Sequence, residues 1–237
     1  MRNTLTLLIL LSLVLLGPSV LMAGPPCAPL VLTSVTIREE TTGFSVDTEY
    51  PVLCQTNANR TIRDWVSNRI FDLKKLDPGH DLTDFPHKYD MSIRYAVWSS
   101  PGQRYASVKL DVSVYSGGAH PNHWPMTWVF DLTNGRDLPL AALFPDTDPA
   151  LEAVAAICRS VLPDSLGDMY VPEMLEAGTE PFFENYDRFI LTTEGVSFFF
   201  PPYQVGPYAA GEQVVTIPYD NLSGHIASDI VITTGHP

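Results

Sequence analysis

The chain has 237 residues, 45% of them apolar and only 17% charged, with 14 Lys and Arg against 27 Asp and Glu for a net charge of −13. That balance argues against free nucleic acid as a ligand, because phosphate is contacted chiefly by Lys and Arg. It fits either plain solubility or a cationic partner, whose attraction fades over ~8 Å at physiological salt.

Residues 1–23 read as a secretory signal peptide. Met1-Arg2-Asn3 supplies a positive start, Leu5 to Leu16 form an apolar run broken only by Thr6 and Ser12, and Gly17-Pro18 precede a small residue at Ala23. Cleavage is expected after Ala23, with a retained anchor as the alternative. Pro18 weighs against the anchor, because a full span needs ~20 apolar residues. Lipoprotein processing at Cys27 is disfavoured by Pro25-Pro26. Cleavage would leave 214 residues (237 minus 23). Such a chain buries ~70% of its unfolded surface and needs no metal or staple, whether as one domain or as two packed halves. No later stretch is apolar enough to span a bilayer.

Three cysteines follow: Cys27, Cys54 and Cys158. Export permits a disulfide, and Cys27 and Cys54 flank the first hairpin-like segment, which makes them the expected pair. Cys158 lies in line with Leu151, Val154, Ala155 and Val161 at helical spacing, which predicts a buried, inert thiol. The odd count leaves one thiol free.

Leu30 to Ile37 and Phe44 to Val52 predict two strands turning at Thr41-Thr42-Gly43. A helix follows, capped by Thr56 or Asn57, with Ile62, Trp65, Val66, Arg69, Leu73 and Leu76 on one stripe and Asp77-Pro78-Gly79 as the stop. Lys88 to Ser99 and Arg104 to Tyr115 predict an antiparallel hairpin with one buried face. Val108, Leu110, Val112 and Val114 point one way, and Lys109, Asp111 and Ser113 the other. Pro125 to Leu132 is a further strand ending in the turn signal Asn134-Gly135. Leu138 to Phe144 leads on to a helix from Pro149 to Leu162, whose first-turn proline costs nothing. Residues 163–185 look irregular, with a helical turn around Pro172 to Leu175. The last strands lie within 186–219, turning at Glu194-Gly195. The class is α+β, antiparallel sheets with two covering helices in the order ββαββ-βαβββ. The divisions are 1–23 signal peptide, 24–114 strand-helix-hairpin half, 115–225 C-terminal half and 226–237 tail.

Two blocks carry a resemblance. YSGGAHPNHWPMTWVFDLTNGRDLPLAALF (115–144) has a Gly-Gly-x-His loop, an aromatic strand and a Phe-Asp-Leu turn. YDRFILTTEGVSFFFPPYQVGPYAAGEQVVTIPY (186–219) has an apolar strand and a Pro/Tyr/Gly loop. Together these resemble the extracytoplasmic domain of RsiV-type anti-sigma factors, which also occurs in a secreted mycobacterial immunogenic protein and beside peptidoglycan deacetylases of the PdaC type. The resemblance implies a secreted binding domain, and in the RsiV type the ligand is lysozyme. Only Met1 to Thr4 precede the apolar run, too few residues to hold a sigma factor, so an anti-sigma role is not expected. Nor is there room for a separate deacetylase domain.

His120 and His123 form H-x-x-H, but in a Gly/Pro loop that spacing does not orient two imidazoles, and zinc wants further ligands. No metal or other cofactor is expected. His80 and His87 flank Pro86 in another loop. No G-x-S-x-G elbow is present, and Ser116 is near histidine only in sequence. Glu173, Glu176, Glu180, Glu184 and Asp187 read as an acidic surface stretch. Phe198-Phe199-Phe200 place rings on both faces of a strand, which predicts cover on both sides. Tyr203 and Tyr208 follow on a stiff loop, and tyrosine suits interfaces.

The expectation is a non-catalytic exported domain, periplasmic or extracellular, that binds a cell-envelope protein or glycan, with a cationic lysozyme-type protein or peptidoglycan as partner. A secreted structural or host-interaction protein and a glycan-modifying hydrolase are the alternatives. The binding residues expected are His120, His123, Trp124, Tyr203 and Tyr208. Gly117, Gly118, Asn134, Gly135, Gly195 and Gly211 are expected to shape the backbone.

Overall fold

A computed structural model describes residues 27–76 and 87–231. The predicted signal peptide, the Asp77-Pro78-Gly79 stop, His80 and Pro86 lie outside them. A six-stranded sheet is built from β1 (Val31–Glu40), β2 (Phe44–Leu53), β3 (Tyr89–Ser99), β4 (Tyr105–Tyr115), β5 (Asn122–Asp131) and the two-residue β6 (Arg136–Asp137), hydrogen-bonded in that order. Helix α1 (Thr56–Lys75) connects β2 to β3. It carries the chain back along the sheet, so β2 and β3 pair in parallel, Phe44 opposite Tyr89 and Thr48 opposite Ile93. Among the described residues this is the one parallel pairing, the others being antiparallel.

Ala58, Ile62, Val66, Ile70 and Leu73 form the buried stripe of α1. They pack on Val46, Ile93, Leu110 and Trp128 from one face of the sheet. Ile70 takes the place expected of Arg69, and Leu76 is exposed. The expected cap is also different. Gln55 precedes the helix and its side-chain amide donates to the Leu132 carbonyl, while neither Thr56 nor Asn57 caps. The start is fixed instead by Asn59, whose side chain accepts from the Leu53 N–H and donates to the Leu53 carbonyl, both at 2.7 Å. Cys27 and Cys54 are bridged beside this corner, as expected.

The second layer starts with α2 (Leu140–Leu143) and α3 (Thr147–Leu166). After these come α4 (Pro172–Gly178), α5 (Phe183–Tyr186) and a three-stranded sheet of β7 (Phe189–Leu191), β8 (Gly195–Phe200) and β9 (Gln213–Pro218). Helix α3 runs past its expected end at Leu162 and through Pro163. The proline lacks the N–H for the helical ladder, but Leu162 and Leu166, one turn apart, are both buried and hold the turn in place. Leu151, Val154, Cys158 and Leu162 pack against Phe198, Phe200, Val215 and Ile217. Cys158 is free and buried, and burial pushes its thiol up to about 12, which makes it inert at neutral pH. Val161, expected on the same stripe, is exposed. The segment 163–185, expected to be mostly irregular, is largely helical: α4 is longer than the predicted turn, and α5 has no counterpart in the expected order.

Every residue of β8 is buried, as the triple phenylalanine predicts. Phe198 and Phe200 face α3, and Phe199 faces the first sheet, where the Lys109 ammonium sits 4.8 Å from its ring centre. The expectation of one buried face on the β3–β4 hairpin therefore fails for the first half of β4. Ser107 and Lys109 are on the polar side of that strand, yet both are buried, because the second layer covers them. Beyond Lys109 the cover ends. Ile226 and Ile230, near the C-terminal end of the described residues, join the second core.

Candidate functional site

Where the second layer stops short, the sheet face and the loop after β8 enclose an open cleft of about 530 Å³. That falls within the roughly 300–1,000 Å³ of small-ligand sites. Its floor is the outward side of three neighbouring strands: Ser92 and Arg94 from β3, Asp111 and Ser113 from β4, and His123 from β5. Its far wall is Pro202, Tyr208, Gly211 and Glu212. Strand alternation puts Lys109, Asp111 and Ser113 on one side, so the residues read from sequence as the solvent face of β4 form the buried end and the floor of this cleft.

The aromatic wall is built from both halves of the chain. The His120 ring is stacked on Tyr208 with centroids 4.0 Å apart and planes 27° apart. His123 lies 6.3 Å and Tyr203 5.5 Å from the same ring. The Tyr208 hydroxyl donates to the Pro121 carbonyl at 2.8 Å, locking the wall to the Gly-Gly-x-His loop. His120 Nδ1 also lies 2.9 Å from the Pro121 carbonyl. Four of the five predicted binding residues thus meet around Tyr208. The fifth, Trp124, borders the cleft, but its neighbour-to-neighbour alternation with His123 carries its ring to the α1 side, where it packs against the first core. His87 is elsewhere, edge-on to Tyr115 at 6.3 Å.

The predicted backbone residues have the following places. Gly117, Gly135 and Gly211 all have positive φ. Gly195 is needed for a different reason: a Cβ there would come 2.1 Å from the Ile217 carbonyl oxygen across the strand pair. Gly118 has no such contact, its nearest neighbour being the His120 carbonyl oxygen at 3.7 Å. Asn134 accepts the Arg136 N–H in the turn before β6.

Ionic groups on the floor, which sequence reasoning missed, are paired with one another. Lys109, 8% exposed, donates to Asp111 at 2.5 Å and to Glu212 at 2.7 Å. Burial works against the Lys109 charge, but the two carboxylates outweigh it and raise its pKa. Burial raises the Glu212 carboxyl, only partly offset by a lysine it must share with Asp111. Arg94 bonds the Asp47 carboxylate at 2.5 Å and its carbonyl at 2.8 Å. Arg94, then Arg38, hold Asp47 below the usual carboxylate range. The signal for the floor was present in the Lys109-x-Asp111-x-Ser113 alternation, but nothing local tied it to Glu212. Among the described residues no three His, Cys, Asp or Glu side chains converge to hold a metal, and no helix is long and apolar enough to cross a membrane.

The family model of a protein of unknown function, DUF3298, matches residues 141–220, from α2 to just past β9. A solved DUF3298 family member from Bacteroides fragilis, BF2082, superposes with a TM-score of 0.60 at 18% identity, over 88% of this chain and 97% of its own. The fold is therefore like that of this solved protein. Immunogenic protein MPT64 of Mycobacterium tuberculosis is 31% identical over 142 residues, 59% of this chain and 60% of that protein. The chain therefore spans less than two thirds of that relative's length. Esterase Rv3036c of the same organism is 24% identical over 224 residues, 92% of this chain and 96% of the relative. The DUF3298 match starts after the strands that carry Arg94, Asp111 and His123, so of the cleft it includes only the far wall, Pro202 to Glu212.

Proposed function

We propose that this DUF3298-type protein is an exported, non-catalytic binding domain that takes a component of the cell envelope in the cleft walled by Tyr208. The observation that carries this reading is the meeting of His120, His123 and Tyr203 around Tyr208, over a floor whose charges are already paired. Rigid aromatic groups beside satisfied polar ones form a contact surface with little ordering cost. Export is supported by the signal-type N-terminus and by the Cys27–Cys54 bridge, which belongs to oxidising compartments. The net charge of −13 and the resemblance to RsiV-type domains support a cationic lysozyme-type protein as the first partner to test.

The experiment is calorimetric titration with a C-type lysozyme at low and physiological salt, beside co-sedimentation with insoluble peptidoglycan. Saturable binding to either that survives physiological salt and is lost in Tyr208→Ala is the expected result. Absence of both, or binding indifferent to Tyr208→Ala, overturns the reading.

A second reading, ester hydrolysis, is favoured by one observation. Ser113 sits directly opposite His123 across the β4–β5 pair on the open side of the sheet, where paired Cβ atoms stand about 5 Å apart. A relative named as an esterase matches nearly the whole chain. Turnover of p-nitrophenyl acetate that disappears in Ser113→Ala would establish it, and activity unchanged in that variant would remove it.

A further inference from the structure

We infer that the cleft is a site for a neutral oligosaccharide, with Tyr203 and Tyr208 as its stacking surface and Asp111 and Glu212 as acceptors for sugar hydroxyls. The inference rests on the binding reading above and names the ligand class for the same cleft.

Charge decides against an anionic ligand. Lys109 is engaged by Asp111 and Glu212, and Arg94 by Asp47. An anion would have to compete with these carboxylates for their cation and leave a partner desolvated, whereas a neutral ligand leaves the pairs intact. The pairs still have unused capacity. An ionised carboxylate has about four acceptor sites, and Lys109 uses one on each. The remaining lone pairs of Asp111 and Glu212 border the cleft and call for O–H or N–H donors. Ser92 and Ser113 add hydroxyls that can donate or accept.

The wall adds the second half of the chemistry. Aromatic rings present electron-rich faces, and a pyranose ring carries a face of C–H bonds that lies against such a surface while its hydroxyls point outward. Tyr203 is 58% exposed and is held at φ 75°, a left-handed conformation that is strained for a bulky residue. Neither core uses its ring. It stands beside Tyr208, 5.5 Å between centroids, next to Pro202 and just outside the residues that line the cleft. A ligand with hydroxyls on its rim and a C–H face matches both surfaces. A flat apolar molecule would leave the spare acceptor sites of Asp111 and Glu212 without donors.

The test is calorimetric titration of the protein with tetrasaccharides of β-1,4-linked N-acetylglucosamine, β-1,4-linked glucose and mannose, and with a tetrasaccharide of galacturonic acid as the anionic control. At least one neutral tetrasaccharide should bind saturably, with affinity independent of salt. Tyr203→Asn, which removes the ring while tolerating the left-handed backbone, should weaken it about tenfold or more, and Tyr203→Phe should stay within about threefold. Asp111→Asn should weaken it as well. Failure of all three neutral ligands, preference for the galacturonic acid, or native affinity in Tyr203→Asn would overturn the inference. Lysozyme binding with no saccharide binding would sink the saccharide assignment alone and leave the binding reading standing.

Discussion

Ser107 and Leu191 join the two sheets through a single side chain. The Ser107 hydroxyl donates to the Leu191 carbonyl at 2.8 Å and accepts from the Leu191 N–H at 2.9 Å, so a serine on β4 satisfies both polar groups of a residue on β7. All three atoms are shut away from water, and a buried group left unpaired costs about 1–3 kcal/mol. Ser107→Ala should therefore destabilise the fold by about 2–4 kcal/mol, read as a lower urea midpoint at unchanged slope.

Tyr208 serves the cleft through its ring and the loop through its hydroxyl. Tyr208→Phe removes only the bond to the Pro121 carbonyl and should cost about 1 kcal/mol, while the stacking with His120 persists. Ligand binding should fall modestly in the Phe variant and disappear in Tyr208→Ala. Equal losses in both would assign the effect to the hydroxyl.

The Cys27–Cys54 bridge closes a loop across 27 positions around the β1–β2 pair. The chain-entropy relation gives such a loop about 3–4 kcal/mol. Replacing both cysteines with serine should lower the thermal midpoint accordingly, and reductant should then have no further effect on the variant.

Asp131 predicts the acid side of the stability profile. Burial works to raise its carboxyl, but hydrogen bonds from the Thr133 hydroxyl and N–H and from Arg104 prevail and hold it below the usual range. A depressed folded pKa adds stability that is present above the unfolded value, near ~3.9, and lost as pH falls through the folded one. Asp131→Asn should cost about 1–2 kcal/mol at neutral pH. Its deficit relative to the native protein should shrink below about pH 4, as unfolding at pH 7 and pH 3 would show.

Gly178 closes α4 against the loop that leads to Tyr208. A Cβ at Gly178 would stand 2.0 Å from the Gln204 carbonyl oxygen. Gln204 in turn bonds the carbonyls of Gly178 and Asn185, both at 3.0 Å. Gly178→Ala must push backbone apart and should cost about 1–3 kcal/mol or more, with loss of cleft binding accompanying the loss of stability.

Elements with a strong period were legible: α1 from its apolar stripe, β4 from its alternation, β8 from three phenylalanines that needed cover on both sides. Pairing partners were less so. The parallel register of Phe44 with Tyr89 depends on where α1 returns the chain, which local patterning does not specify. The run of α3 through Pro163 shows packing of Leu162 and Leu166 prevailing over a helix-breaking residue. At the cleft, the aromatic residues were suggested by the composition of their loops. Arg94 and Glu212 were not, since each acquires its role only when distant strands meet. Lys109 was read as surface for the same reason: its cover comes from Phe199, in the other layer.

Strand β4 serves two interiors at once. Tyr105 belongs to the core under α3 and Ala106 to the core under α1, and the alternation continues with Ser107 and Val108. Such a party wall ties the fate of the halves together, and heat or denaturant should dissolve them in one transition. A gene fragment cut at residue 141, where the DUF3298 match begins, would leave Leu191 and Phe199 facing water instead of Ser107 and Lys109. The unit that can be inherited and transplanted is therefore larger than the stretch by which it is recognised.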